Sequence, residues 1–441
     1  MADSQDAPQM DNSSPVRGMT PPLRILMVAP QPFFRARGTP FSVLHRIRVL
    51  VEAGHLVDLI TYPFGENVDM DGLRIIRSGR PRFVHDVKIG PSIAKLMLDV
   101  PLYWETVKAL RNRDYDILHS HEEAAFFAVR LARTFGLIHI YDMHSSLPHQ
   151  LSNFSSFNLG PVRSLFSWFE RNVLQTCNGV ITICKELEEI ALPLCGDTPH
   201  RMIENTADDQ NVFPIPGHDT RAKYALSNRP LILYTGTFES YQGLDLLLRS
   251  FQLLRERGVE AQLILVGGRQ KQIDDYRKLA ADLEIIDDVM FVGTVHPSEI
   301  PGFIDAADLI VSPRSAGTNT PLKLYGYMRS GKPLVATDLL THTQTLDEEI
   351  ACLVPASSEG IAEGIAKILG NPNYAQKISS AAKSRADLHY SDSGYVNKVL
   401  GFYDEVLGQS YDSTDGSNQT PDSATTVEPA VQHSERTSSV K

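Results

Sequence analysis

A four-residue apolar run, a loop bracketed by two glycines and an apolar helical pattern follow without a break in LILYTGTFESYQGLDLLL, Leu231 to Leu248. Leu231, Ile232, Leu233 and Tyr234 are apolar on both faces and too few for a helix, which predicts a strand buried in a parallel sheet. Gly236 and Gly243 bound the loop, and Leu244, Leu247, Leu248 and Phe251 then recur at helical spacing. The loop therefore hands the chain to a helix N-terminus, whose free N–H groups and dipole favour an anion such as phosphate. An ordinary strand-to-helix turn has the same outline, so the loop alone leaves both readings open.

At 441 residues the chain exceeds the size at which a single core keeps growing, and 42% hydrophobic content is enough for two. The apolar runs fall short of the roughly 18 residues that cross a bilayer, and Met1 to Thr20 lacks the basic start and apolar centre of a secretory leader. The expected location is cytoplasmic, with at most peripheral attachment at the inner face of the membrane. Cys177, Cys184, Cys195 and Cys352 show neither CxxC nor paired-histidine spacing, so they read as buried free thiols. A net charge of −11 argues against nucleic acid as a partner. Arg24 to Gln150 nevertheless carries a basic excess, so the first half suits an anionic partner and the second half repels one.

Residues 1–22 have little to bury and are expected to form a disordered head, and 408–441 a disordered tail. Leu23 to Val28 predicts the first strand, Thr39-Pro40 a helix start with Val43, Ile47 and Leu50 inward, and Val57 to Thr61 the next strand, a βαβ unit. The loop from Ala29 to Gly38 holds one glycine and so lacks the dinucleotide fingerprint. Asp116 to Glu122 and Leu137 to His144 read as strands ending in His119, His121, Asp142 and His144. Carboxyl ends of parallel strands line ligand crevices, which directs His121 and His144 toward a site, although neither HxxxH spacing nor a partner carboxylate supports a metal there. The aperiodic stretch around 208–229 reads as a connection, dividing the chain into Rossmann-like halves at 23–213 and 214–390 with a closing helix at 391–407. Strands of the second half are predicted to begin at Leu231, Gln262, Val289, Leu309, Pro333 and Ala351.

Ile93, Leu96, Met97, Val100, Trp104 and Val107 form an apolar stripe kinked by Pro101. Packing on a core is the preferred reading, and contact of a basic-flanked amphipathic helix with an anionic membrane is the alternative.

In chain order, TGTFESYQGLDLLL, LILVGG, FVGTV and SPRSAGTNTPLKLYGYMRSGKPLVATD resemble the nucleotide-sugar half of GT-B glycosyltransferases, specifically the retaining family four. The resemblance extends over nearly all of Arg24 to Leu407. It implies an α/β fold of GT-B architecture, two Rossmann-like doubly wound parallel-sheet domains facing a central cleft, the first for the acceptor and the second for the nucleotide sugar. It implies transfer from a nucleotide-diphosphate donor to a hydroxyl of a glycan or glycolipid acceptor, with retention, no metal and no cofactor besides the donor. By the same resemblance Gly236, Thr237, Gln242 and Gly243 hold the diphosphate, and Val295 beside Gly293 takes the nucleobase. Thr318, Asn319, Thr320, Pro321 and Gly326 take sugar and ribose, and Thr320-Pro321 also reads as a helix start. His121 matches the histidine at the catalytic crevice, able to hydrogen-bond the sugar or accept a proton. Gly38 matches the acceptor-side glycine, with Arg35 and Arg37 facing an acidic or lipid-phosphate acceptor.

The departures are equally specific. Thr237 and Gln242 stand where many relatives carry cations, and Thr318 and Gly326 where they carry paired glutamates. Lys323, Arg314 and Arg269 are the candidates to carry the phosphate charge instead. A non-catalytic nucleotide- or glycan-binding relative acting as a regulatory or assembly partner, and an epimerase of the same architecture, are the alternative readings.

Overall fold

The computed structural model describes residues 22–35, 38–87, 93–148, 160–206 and 219–415. Expectations placed on the head, on Arg37, on the 213/214 boundary and on residues beyond 415 lie outside these.

Short apolar runs, buried on both faces, assemble into two all-parallel sheets. The first contains β1 (Arg24–Ala29), β2 (Leu56–Thr61), β3 (Leu73–Arg77), β4 (Ile117–His121), β5 (Ile138–Met143), β6 (Gly179–Thr182) and β7 (His200–Met202), in the order β3-β2-β1-β4-β5-β6-β7. The second contains β8 (Leu231–Thr235), β9 (Gln262–Val266), β10 (Val289–Gly293), β11 (Leu309–Ser312), β12 (Leu334–Thr337) and β13 (Cys352–Val354), in the order β10-β9-β8-β11-β12-β13. Both are Rossmann-like, and in both the strand order reverses beside the first strand, between β1 and β4 and between β8 and β11. At such a reversal neighbouring connections depart to opposite sides and leave a crevice beyond the strand ends. Gly38 and His121 follow β1 and close β4; Gly236 and Arg314 follow β8 and β11. Strand β3, LRIIR, was not predicted, because an arginine at each end interrupts the apolar run by which the other strands are recognised.

Helices α1 (Gly38–Glu52), α2 (Ile93–Asn112), α3 (Ala125–Phe135), α4 (Gly160–Leu174) and α5 (Lys185–Cys195) accompany the first sheet. Helices α6 (Leu244–Glu256), α7 (Gln270–Asp282), α8 (Ile300–Ala306), α9 (Lys323–Arg329), α10 (Ser358–Gly370) and α11 (Pro372–His389) accompany the second. The last helix, α12 (Asp392–Asp415), returns to the first sheet, where Tyr395, Val399, Phe402, Tyr403 and Val406 share a core with Ile25, Met27, Ile47 and Ile140. It also corrects the tail expected to be disordered from Gly408, since the helix runs on to Asp415. Once a helix is anchored by packing, each further residue adds a hydrogen bond without a new nucleation cost.

The stripe on α2 is divided rather than buried whole. Of its members Val107 joins the core, beside Leu98, Leu102 and Leu110, which lay outside the predicted stripe, whereas Leu96, Val100 and Trp104, one turn apart, are 57%, 59% and 61% exposed. The core reading is thus corrected for those three, and the helix passes through Pro101 without ending. All four cysteines are buried and free, and no helix among the described residues is long and apolar enough to cross a membrane.

Candidate functional site

In the second sheet, backbone segments approach too closely to admit any side chain. A Cβ on Gly243 would stand 1.9 Å from the Pro313 carbonyl oxygen, and one on Gly267 would stand 2.0 Å from that of Gly236. Gly243 and Gly267 also have φ of +70° and +121°, where L side chains are strained. The glycine loop after β8 is therefore wedged between the ends of β9 and β11. Gly243 opens α6, as expected, after a single turn at Ser240–Gln242.

Beside this loop lies Lys323, the first residue of α9. Its Nζ donates to the Thr235 carbonyl at 2.9 Å and stands 4.1 Å from the Tyr234 ring centre; a Cβ on Gly236 would be 3.4 Å from it. Loss of water contact, and then the neighbouring Arg314, hold its ammonium well below the ordinary lysine value. Arg314 is built into a brace: its Nη1 donates to the Asn319 carbonyl at 3.1 Å and to Thr341 Oγ1 at 2.8 Å, while its buried Nε has no partner among the described residues. Thr237 offers its carbonyl to Tyr234 Oη at 2.7 Å, and Gln242 is buried with Oε1 unpartnered among the described residues. The helix start expected at Thr320-Pro321 falls within two residues of the observed one: α9 begins at Lys323, Leu322 before it is already helical, and Leu324 N donates to the Pro321 carbonyl at 3.0 Å. The buried Thr320 Oγ1 has no partner among the described residues.

Four titratable side chains from β4 and β5 converge in the first sheet. Their alternation along adjacent parallel strands sets His119, His121 and Asp142 on one face, with His144 just beyond the end of β5. Asp142 Oδ2 lies 3.0 Å from Arg46 Nε and 3.4 Å from His119 Nε2, and Oδ1 lies 3.3 Å from His144 Nε2. His121 Nδ1 meets His144 Nε2 at 3.0 Å, and Tyr403 Oη meets His119 Nδ1 at 2.5 Å. Burial alone would raise the Asp142 carboxyl, but Arg46 and then His144 hold it well below the ordinary carboxylate range. Burial drives His121 well below the usual imidazole value, so it is neutral at physiological pH.

A partner carboxylate does accompany these histidines, contrary to expectation. His119, His121 and Asp142 bring three potential metal-binding atoms within 4.8 Å of one another. The Arg46 guanidinium on Asp142 already supplies the positive charge, which makes the cluster unfavourable for a cation. Arg46 and Asp142 were not identified as site residues from sequence. An arginine on the buried face of α1, between Val43 and Leu50, is the signal that was available.

The two sites meet. Asn319 Nδ2 donates to the His144 carbonyl at 3.1 Å, and Gln344 spans the domains, its Nε2 donating to the Thr318 carbonyl at 2.5 Å while its Oε1 accepts from Glu186 N at 2.8 Å. Arg269 is 74% exposed and pairs with Glu239 at 3.1 Å, and Val295 packs on the core of the second sheet. Gly38 is exposed, and Arg35 pairs with Asp86 at 2.7 Å. Gly326 has nothing within 4 Å of where a Cβ would stand. Unforeseen is Glu122, directly after His121, with φ of +47° and its carboxylate 3.4 Å from Thr39 Oγ1 and 3.5 Å from Lys95 Nζ.

Two parallel sheets whose strand reversals hold a glycine loop on one side and a histidine cluster on the other define the GT-B architecture. Residues 36–211 match the model for Glycosyltransferase Family 4, and residues 218–385 that for Glycosyl transferases group 1. The chain belongs to glycosyltransferase family four, enzymes of the hexosyltransferase type that use a nucleotide sugar. Alpha-D-kanosaminyltransferase of Streptomyces kanamyceticus is 22% identical over 68% of this chain and 80% of its own length. Phosphatidyl-myo-inositol mannosyltransferase of Mycobacterium leprae is 24% identical over 87% of this chain and 97% of its own. Among solved structures, sucrose-phosphate synthase from Thermosynechococcus elongatus superposes with a TM-score of 0.70 at 20% identity, covering 90% of this chain and 100% of that one. The Anabaena protein Alr3699/HepE in complex with UDP gives 0.66 at 15% identity, covering 88% and 100%.

Proposed function

We propose that this chain transfers a sugar from a nucleoside-diphosphate donor to a hydroxyl of a glycan or lipid-linked acceptor, with retention of anomeric configuration and without a bound metal. The observation that carries the reading is the bond from Asn319 to the His144 carbonyl, which sets the donor loop of one domain against the histidine cluster of the other. The C1–O bond to the diphosphate breaks as a C1–O bond to the acceptor forms on the same face, and the acceptor proton passes to the departing phosphate. Lys323 meets the charge that develops on that phosphate, with Arg314 holding the Thr318–Thr320 loop in place, and neutral His121 hydrogen-bonds the transferred sugar. Arg46 at Asp142 supports the metal-free reading. The lipid-linked acceptor is supported by the mannosyltransferase relatives named for phosphatidyl-myo-inositol, and peripheral contact with an anionic membrane by the exposed Leu96, Val100 and Trp104.

Calorimetric titration in metal-free buffer against UDP, GDP, ADP and TDP tests this. One diphosphate is expected to bind saturably, and Lys323→Met to weaken it about 10- to 100-fold, the worth of a hydrogen bond to a charged group. Burial and then Arg314 lower the Lys323 value, so at a pH above it a bound diphosphate that recruits the lysine's charge takes up a proton; affinity then falls as pH rises, and the heat depends on the ionisation enthalpy of the buffer. Saturable binding with Lys323→Met unimpaired removes the role given to that lysine. No binding by any diphosphate at millimolar concentration favours the non-catalytic relative.

The open space at Gly326 leads to a second expectation. Gly326→Glu restores the carboxylate by which relatives hold the ribose and meets no obstruction at Cβ, so donor affinity should rise about tenfold. Unchanged affinity on titration would show that the ribose lies elsewhere.

A further inference from the structure

One proton lies between two ring nitrogens in the histidine cluster, and its position decides what His121 can do. His121 Nδ1 and His144 Nε2 are 3.0 Å apart, so one must donate and the other accept. If His121 Nδ1 carried the proton, the lone pair of His144 Nε2 would face Asp142 Oδ1 at 3.3 Å, two acceptors opposed in a fully buried site. With the proton on His144 Nε2, that N–H donates to His121 Nδ1, and its positive end rather than a lone pair stands 3.3 Å from Asp142 Oδ1, a favourable electrostatic contact short of a hydrogen bond. The repulsion that remains, between His121 Nδ1 and Asp142 Oδ2, acts over the longer distance of 3.8 Å. The same rule holds on the other side of the carboxylate. His119 Nε2–H faces Asp142 Oδ2 at 3.4 Å, and Tyr403 O–H donates to the Nδ1 that this leaves free.

We propose that Asp142 and His144 are positioning residues that fix His121 as the tautomer protonated on Nε2, which makes it a hydrogen-bond donor rather than a proton acceptor. The proposal rests on the reading that His121 stands at the chemistry and deepens it by choosing between the two roles open to that residue. Its Nε2 is buried and has no partner among the described residues, so the N–H is unspent. An N–H there suits an oxygen of the transferred sugar or of the departing diphosphate. It cannot take the acceptor proton, which leaves that step to the phosphate.

The tautomer is read without turnover. In full-length protein labelled with 15N-histidine, long-range 1H–15N correlation distinguishes protonated from unprotonated ring nitrogens, and the His121 signals are those lost in His121→Asn. The expected pattern is an unprotonated Nδ1 and a protonated Nε2. His144→Phe should release this preference and lower kcat about tenfold with the donor KM changed less than about twofold, the result of losing one oriented hydrogen bond. His144→Gln, whose amide nitrogen can occupy the place of Nε2, should recover the tautomer. A protonated Nδ1 in the wild-type protein overturns the proposal, as does an unaltered tautomer in His144→Phe. If that variant does not fold, the wild-type spectrum still decides. Normal transfer by His121→Ala instead removes the reading beneath it, whatever the tautomer.

Discussion

Replacing Arg46 with methionine should destabilise the first domain by about 3–5 kcal/mol, the usual result of removing one partner from a buried ion pair. Both side chains are almost wholly excluded from water, at 2% and 1% exposure, so neither charge has solvent to fall back on. The loss should depend on pH in a definite direction. In the wild-type protein the Asp142 value is depressed, so its stabilising contribution is complete above the ordinary carboxylate value of 3.8 and disappears as pH falls toward the folded value. Without Arg46 the largest remaining influence is burial, which raises it, and the variant then loses stability as pH climbs from about 4 toward neutrality. Urea titrations of the two proteins should therefore diverge from acid to neutral pH. Arg46→Met combined with Asp142→Asn should recover most of the loss. Parallel pH profiles for wild type and Arg46→Met would show that the pair contributes only packing.

Gly243→Ala should be nearly as costly and should abolish donor binding as well. The added methyl would sit 1.9 Å from the Pro313 carbonyl oxygen, and φ of +70° adds the strain of a left-handed non-glycine residue. Overpacking costs about 1–3 kcal/mol and the left-handed conformation about 1–2 kcal/mol, so about 3 kcal/mol is expected for the second domain. Gly258→Ala separates the two contributions. Its φ is +74°, but nothing lies within 4 Å of the new atom, so only the conformational part, about 1 kcal/mol, should appear. Equal losses at Gly243 and Gly258 would show that the approach to Pro313 is not tight in solution. Titration with the preferred diphosphate should detect no saturable binding to Gly243→Ala, because the loop between β8 and α6 must shift to admit the methyl.

Parallel strands buried on both faces announce themselves as short apolar runs, and β8, β9 and β11 were legible for that reason. Strand β3 was not, since Arg74 and Arg77 bring charge to its ends, Arg74 pairing with Asp58 across the sheet. The glycine loop of the second domain was likewise readable, because close backbone approach demands glycine and glycines are visible in a sequence. The histidine cluster of the first domain was readable only at His121 and His144. Arg46 acts from a helix some seventy residues before β4, and Tyr403 from the far end of the chain; nothing local ties either to a carboxylate on β5. Exposure of Leu96, Val100 and Trp104 was hidden for another reason: a helix with apolar residues on most of its circumference does not declare which of them the fold will cover.

Helix α12 makes the first domain dependent on a segment synthesised after the second domain. Ribosomal synthesis delivers β1 through β7 well before Tyr395, Val399, Phe402 and Val406 exist, so during that interval the apolar flank they cover is open to water and to other chains. Tyr403, whose hydroxyl meets His119 Nδ1, is equally late. The two halves of this protein are therefore not independent modules that fold in sequence. The first matures last, and a nascent chain halted before residue 392 carries a histidine cluster whose outer wall has not yet been made.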